Sequence, residues 1–245
     1  LGHTERLDRF LAELALDDVH LFAHEWGSII GLRVAGLQPD RFATITVADG
    51  ALPVIPRLVR PLPPVRRPDV VTDLPSPFEG IPDQQRPLYE GCTLVDATSR
   101  DMNALLAYAM TSQSFRPSDV VEALTWYDLP DDVEAAYDAP YPHRIYLAGP
   151  RVFASLINDL PGATREAWGG LTSYDRPFLT IWSSNNPATI GSCEAQQAFI
   201  DDVPGAAGQP HVRLDEASLF VPDDQGEAVA RLLVALYAEA TSAGE

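Results

Sequence analysis

The chain has 245 residues and a formal net charge of −18, and all 17 of its basic residues are arginine. So acidic a surface repels phosphate backbones and anionic lipids, which argues against nucleic acid and membrane as partners. The apolar fraction of 46% predicts a globular core, and no apolar run reaches the length of a membrane span. Without a recognisable signal segment, a cytoplasmic location is expected, and Cys92 and Cys193 are predicted to be ordinary thiols.

The first fifth of the chain predicts a strand–helix–strand unit. Residues 4–15 have the apolar spacing of an amphipathic helix, with Thr4 as its cap. A short buried strand follows over 19–23, a helix over 28–38 and a second strand over 43–48. Strands joined in this way should be parallel, with a right-handed crossover.

The later chain combines a proline-rich stretch with further helices and strands. Ten of the 22 prolines lie between Pro53 and Pro87, which rules out regular strands there and predicts a loop leading into an inserted cap. Three or four parallel strands make an incomplete sheet, so either the chain begins partway through a domain or another chain completes the sheet. The predicted later elements are cap helices over 96–110, 117–126, 131–137 and 150–156, strands over 177–182 and 211–214, and helices over 194–200 and 226–240.

The pattern Ala23-His24-Glu25-Trp26-Gly27 follows the first predicted strand, and these five residues are called the elbow below. Small residues two places before and after a central residue are typical of a strained strand-to-helix turn, where close backbones exclude larger side chains. The turn would push the Glu25 side chain above the carboxyl end of the sheet. An ordinary strand–glycine turn–helix with a surface glutamate fits the same spacing.

Five segments carry a resemblance to a known family. They are residues 17–27, residues 39–42 with Leu52-Pro53, residues 139–142 with 148–153, residues 177–187, and residues 217–221 with Gly226-Glu227. Their order along the chain resembles the haloalkane dehalogenases, a family of α/β-hydrolase enzymes. The resemblance implies an α/β-hydrolase core of parallel strands from about the fifth strand onward, formed by residues 1–50 and 157–245. Residues 51–156 would then form the proline-rich loop and helical cap, and the family's first four strands have no counterpart before Leu1.

The departures from the family pattern fall on the catalytic positions. Glu25 stands where the family has its aspartate nucleophile, Asn186 where it often has the acid, and Leu219 where it has the histidine base. Asp49 ends the strand at which some family members place the acid, so it is an alternative acid or a loop hydrogen-bond acceptor.

The chemistry of the family requires all of these groups. A carboxylate attacks carbon and displaces halide, and water activated by histidine then cleaves the ester. The indole N–H groups of Trp26 and, more loosely, Trp126 match the halide-binding donors. His24 and His143 are weak candidates for a replacement base, and His211 should lie near the opposite end of the sheet.

Three functional hypotheses remain open from the sequence. The leading one is an impaired or non-catalytic relative that keeps a pocket for a small apolar or halogenated molecule. The second is an active hydrolase that cleaves carbon–halogen bonds or epoxides through Glu25, with cap tyrosines as epoxide donors. The third is a fragment of a split hydrolase, or a homo-oligomer, that needs another chain at the edge of strand 19–23. No cofactor or metal is expected.

Overall fold

The computed structural model describes residues 2–52, 89–90, 92–94, 102–153, 156, 161–187 and 189–242. The first unit consists of α1 (Gly2–Glu13), β1 (Val19–His24), α2 (Trp26–Leu37) and β2 (Phe42–Ala48). The strands β3 (Tyr89–Glu90) and β4 (Thr93–Leu94) form a small hairpin. The remaining elements are α3 (Met102–Thr111), α4 (Pro117–Leu124), α5 (Asp131–Asp138), α6 (Ala148–Phe153), α7 (Pro161–Leu171), β5 (Phe178–Ser183), α8 (Cys193–Asp202), β6 (Val212–Leu214), α9 (Val221–Asp224) and α10 (Gly226–Ser242).

The main sheet of the described residues has four parallel strands in the order β1-β2-β5-β6. Every residue of β5 is buried, whereas only Ala23 is buried in β1. Within the described ranges, β1 has a neighbouring strand only on its β2 side. The predicted parallel pairing of the first two strands is confirmed, and no helix in the described ranges is long and apolar enough to cross a membrane.

The first helix differs from its prediction in where it begins and in the face it buries. It begins at Gly2, so Thr4 lies inside the helix and is not its cap. Leu11 is buried in the core, but Phe10 and Leu14 are each 55% exposed. The helix packs on α2 through the face that carries Leu11 and the partly buried Leu7, and Phe10 and Leu14 lie outside that contact.

The helix α7 was missed because its sequence contains three glycines, which lower helix propensity. Two glycines explain how tightly it packs on α2. A Cβ at Gly170 would lie 1.7 Å from the carbonyl oxygen of Gly36, and a Cβ at Gly36 would lie 2.0 Å from that of Ala167. Glycine at both positions therefore lets the two backbones touch.

The cap helices α3 to α6 occur where helices were predicted, with shifted ends, and residues 96–101 lie outside the described ranges. A buried apolar cluster, called the cap cluster below, joins α3 and α4 to the segments around Phe115 and Leu147 and to one residue from beyond β6. Its members are Tyr108, Ala109, Phe115, Ala123, Leu124, Leu147 and Leu219. The proline-rich loop at 53–88 is not described, so the division at 50/51 and 156/157 stays a prediction.

The prediction of two ordinary thiols is wrong. Cys92, in the turn of the β3–β4 hairpin, forms a disulfide with Cys193, the first residue of α8, and their Cα atoms are 5.5 Å apart. The two residues are separated by 101 positions, so no local spacing in the sequence indicated the pairing. The bond fastens the hairpin to the core and restricts the unfolded chain.

The contact between α2 and α7 predicts a contrast between neighbouring glycines. Replacement Gly170→Ala should lower the free energy of unfolding by about 1–3 kcal/mol, because its methyl group would overlap a backbone oxygen. Gly169→Ala is the matched control, since a Cβ there has no atom within 4 Å, and it should raise stability by about 0.5–1 kcal/mol. Chemical denaturation measures both, and equal effects would contradict the packing described.

Candidate active site

The backbone of Glu25 has φ 45° and ψ −118°, a region that residues other than glycine rarely occupy. Two hydrogen bonds hold this conformation: Glu25 N donates to Ala48 O at 3.3 Å, and Ser28 N donates to Glu25 O at 2.9 Å. The predicted strained turn between β1 and α2 is therefore present, with Glu25 at its apex.

The close approach at the elbow occurs at a different glycine from the one predicted. Gly27 is exposed, and a Cβ there would meet nothing within 4 Å. A Cβ on Gly50, by contrast, would lie 2.7 Å from Ser28 Oγ and 2.5 Å from Val47 Cγ1. The tight packing therefore lies between α2 and the loop after β2.

Ser28 joins these two segments through its hydroxyl group, and sequence reasoning did not single it out. Its Oγ accepts from Ala51 N at 2.8 Å and donates to the carbonyl oxygen of Glu25 at 2.5 Å. Because Ala51 lies two residues after Asp49, this bond fixes the end of β2 against the elbow.

The carboxylate of Glu25 accepts a hydrogen bond from the backbone N–H of Trp26. Burial raises the pKa of Glu25 to about 7, and the nearby charge of Asp49 acts in the same direction, whereas the Trp26 hydrogen bond lowers it. Glu25 is thus protonated in a large fraction of molecules at neutral pH.

Asp49 is fully buried beside the ends of β2 and β5. Ser183 N donates to its carboxylate, 3.2 Å from either oxygen, and the side chain of Asn186 lies beside it. Burial raises the pKa of Asp49 to about 7, although Ser183, the Asn186 side chain and the charge of Arg213 lower it. The structure therefore brings together the two sequence candidates for the acid position, as a carboxyl and an amide in contact.

Leu219 is 5% exposed and packs in the cap cluster. Its carbonyl oxygen lies 2.6 Å from His24 Nε2 and can only accept, so Nε2 carries the proton. Burial lowers the pKa of His24, which favours the neutral ring. The position expected for a catalytic base is thus occupied by an apolar side chain.

The other two histidines considered as a replacement base, His211 and His143, make hydrogen bonds away from the elbow. His211 Nδ1 lies 3.1 Å from Thr180 N, and its Nε2 lies 2.8 Å from the carbonyl oxygen of Ala206. Thr180 precedes Ser183 by three strand residues, about 10 Å along β5. His143 is exposed and accepts from Ile145 N in a turn. Neither residue is placed to serve Glu25.

Of the two candidate halide-binding tryptophans, Trp26 lies in the elbow as the first residue of α2, and Trp126 lies in the cap just after α4. The Trp26 ring packs on Phe153 at 4.6 Å between centroids, and Trp126 is 9% exposed. Within the described ranges, neither indole N–H has an acceptor, whereas Trp182 Nε1 donates to Ile190 O at 2.7 Å. Within these ranges, both indole N–H groups are therefore available as donors.

Asp224 is a further residue that sequence reasoning missed, and no pattern in the sequence pointed to it. Its carboxylate accepts from Trp126 N and from Ser218 N, each at 2.8 Å. Phe220 N also donates to Leu124 O at 3.2 Å. These bonds fasten the segment around Leu219 to the cap.

No protein-family model matches the chain. It is 31% identical over 237 residues to a haloalkane dehalogenase of Mycolicibacterium paratuberculosis, covering 95% of this chain and 64% of that protein. It is 32% identical over 239 residues to haloalkane dehalogenase 1 of Mycobacterium tuberculosis, covering 96% of this chain and 65% of that protein. The chain thus spans a little under two thirds of the length of these relatives.

Solved structures show the same fold at lower sequence identity. A loop variant of the haloalkane dehalogenase DbeA from Bradyrhizobium elkanii superposes with a TM-score of 0.66 at 18% identity, over 98% of this chain and 74% of that one. The tetrameric haloalkane dehalogenase DpaA from Paraglaciecola agarilytica gives 0.63 at 17% identity, over 95% and 65%. In sequence the chain is similar to haloalkane dehalogenases, and its fold is that of a haloalkane dehalogenase-like α/β-hydrolase.

Proposed function

We propose that this chain is an impaired haloalkane dehalogenase-like hydrolase, in which Glu25 can be alkylated but the resulting ester is not hydrolysed. The observation that carries the proposal is Leu219, whose side chain is buried in the cap cluster at the position expected for the base. The ligand would be a small apolar or halogenated molecule, as the names of the relatives suggest.

The first chemical step depends on an ionised Glu25. Its carboxylate oxygen attacks the carbon of the substrate, a C–O bond forms, and the halide leaves with the electron pair of the C–X bond. The indole N–H groups of Trp26 and Trp126, which have no acceptor among the described residues, are suitable donors for the halide. Relative to aspartate, the extra methylene of Glu25 moves the oxygens by about 1–1.5 Å, which can slow attack by about 10²-fold.

The second step lacks a base. Hydrolysis of the ester requires a group that takes a proton from water, and Leu219 cannot accept one. His24 Nε2–H donates to the Leu219 carbonyl oxygen, which leaves Nδ1 as the accepting nitrogen of the ring, and Nδ1 makes no hydrogen bond to Glu25 among the described residues. We therefore infer that an ester at Glu25 persists.

Sustained hydrolysis of carbon–halogen bonds or epoxides through Glu25 is the alternative. The epoxide route gains little support from the cap tyrosines, because three of their hydroxyl groups already meet carboxylates. The pairs are Tyr108 with Asp119, Tyr127 with Glu216 and Tyr137 with Asp223. Halide displacement needs no such donor, so it remains the better-supported chemistry.

A separate proposal concerns a partner at the edge of β1. Among the described residues β1 is a partly apolar edge strand, and such an edge invites association with another chain. We infer that β1 pairs with a strand from a second copy or from another polypeptide. The tetramer seen for DpaA is a property of that protein, and its arrangement is not assumed for this chain.

The cytoplasmic location stays a prediction. The disulfide between Cys92 and Cys193 weighs against it, because cytosolic thiols are usually kept reduced.

The turnover prediction follows from Leu219. With short chloro- and bromoalkanes, we expect at most one equivalent of halide per chain and no steady-state release. Glu25→Gln should abolish even this single equivalent, because an amide is a poor nucleophile. Halide measurement at pH 8.5, where Glu25 is mostly ionised, provides the assay. Continued release beyond several equivalents would contradict the proposal.

The repair prediction concerns the three altered positions together. The triple variant Glu25→Asp, Asn186→Asp, Leu219→His should not gain robust turnover. The new histidine would enter the apolar cap cluster, and the new aspartate would face Asp49 where an amide stands now. Adding Asp49→Asn removes the second conflict and serves as the matched control. Efficient halide release by the triple variant would show that the site tolerates all three changes.

The edge prediction is tested on a sample shown by native mass measurement to be monomeric. In such a sample, the outward amides of residues 19–23 should exchange rapidly, while those of β2 stay protected by their two neighbouring strands. In an oligomer or a complex, residues 19–23 should become protected. Strong protection of β1 in the monomer would mean that its edge is closed within the chain.

A further inference from the structure

We propose that Glu25 and Asp49 form a coupled carboxyl pair, in which Asp49 controls the pH at which Glu25 becomes a nucleophile. The proposal deepens the proposed function, because it assigns a regulator to the same site. Asp49 would not act on substrate directly, so it is a positioning residue whose effect passes through the charge on Glu25.

Glu25 and Asp49 lie at the ends of two neighbouring strands. His24 pairs with Ala48 as the last residues of β1 and β2, and Glu25 and Asp49 directly follow these strands. Neighbouring strands lie about 4.8 Å apart. Both backbones turn at this point with positive φ, 45° for Glu25 and 38° for Asp49. The two carboxyl groups therefore leave adjacent strand ends at one level of the sheet.

Hydrogen bonds fix the positions of these two strand ends. Glu25 N donates to Ala48 O, and Asp49 N donates to Ile181 O at 3.1 Å. The Ser28 hydroxyl group joins the elbow to Ala51. Because both strand ends are held in this way, the carboxyl groups cannot easily separate to relieve their mutual repulsion.

Groups from β5, the loop after it and β6 face Asp49. From β5 and the loop after it, Asp49 meets the Ser183 N–H and the Asn186 amide, which are neutral groups. The cation that acts on Asp49 is Arg213 on β6, whose guanidinium donates to Ser183 O at 3.0 Å and to Gly191 O at 2.7 Å. Its charge lowers the pKa of Asp49, yet the pKa stays raised. Arg213 therefore offsets the charge of Asp49 only in part.

The groups that face Glu25 come from its two neighbours in the elbow, Trp26 and His24. The Trp26 N–H is its hydrogen-bond donor, and the adjacent His24 ring favours the neutral form. No ion pair to Glu25 or Asp49 occurs among the described residues. The two carboxyls therefore oppose each other's ionisation, and their protons should leave in coupled steps.

The consequence for chemistry is an order of events. Glu25 must ionise before attack, and a charged Asp49 opposes that ionisation. Alkylation then turns Glu25 into a neutral ester, and the repulsion on Asp49 ends. The attack consumes the carboxylate charge and releases it as halide, so no additional proton acceptor is needed in this step.

The test compares Asp49→Asn with Asp131→Asn, the same chemical change at an exposed carboxylate on α5. Carbon-13 NMR of labelled glutamate and aspartate carboxyls follows the titration of Glu25 without any substrate. We expect Asp49→Asn to move the Glu25 midpoint downward and Asp131→Asn to leave it in place. The alkylation rate below pH 7 should rise by about tenfold for each unit of that shift, with equal rates at pH 9.

A second measurement covers the case in which Asp49→Asn does not fold. In the unaltered chain, the Glu25 and Asp49 carboxyl signals should each show two titration steps at shared midpoints. Single, independent steps, or a Glu25 midpoint unchanged by Asp49→Asn, would overturn the proposal. Coupled titration without any alkylation would uphold the pair and reject the proposed function, so the two failures are distinguishable.

Discussion

The backbone conformation of Glu25 is the constraint on which the rest of the site depends. A positive φ at a glutamate is unfavourable by about 1–3 kcal/mol, and it persists only where surrounding contacts impose it. Here those contacts are the hydrogen bonds of Ser28 and the close approach of Gly50. They hold the end of β1 against the end of β2, which places Glu25 beside Asp49. The elbow, the carboxyl pair and the cap contacts of the Leu219 segment thus all lie around one strained turn.

The residues at the three proposed catalytic positions fit their surroundings. The Asn186 side chain lies beside the carboxyl of Asp49, so one acidic group and one neutral group share the space. Leu219, at the proposed base position, contributes apolar contact to the cap cluster, and Asp224 fixes the same segment through two backbone N–H groups. Restoring a single family residue would therefore disturb a partner that fits the present one.

The features that could be predicted from the sequence are those that local residue patterns determine. The alternation of strand and helix from 19 to 48 follows from hydrophobic periodicity, and the elbow from the placement of small residues. Long-range contacts left no local signal: the disulfide, the backbone contact of Gly36 with α7, and the carboxylate of Asp224 each join segments far apart in the chain. Residues 27 and 50 illustrate the same limit, because only the folded chain shows which glycine is crowded.

Tandem mass spectrometry of the elbow peptide after exposure to a bromoalkane shows whether Glu25 is alkylated and whether its ester persists. We expect a single alkyl group on the Glu25 carboxyl that survives hours at pH 8.5 in the folded protein. Its release as alcohol upon alkaline hydrolysis of the isolated peptide would confirm the ester bond. An elbow peptide that stays unmodified while alcohol and halide accumulate, or an alkyl group on another residue, would contradict this expectation.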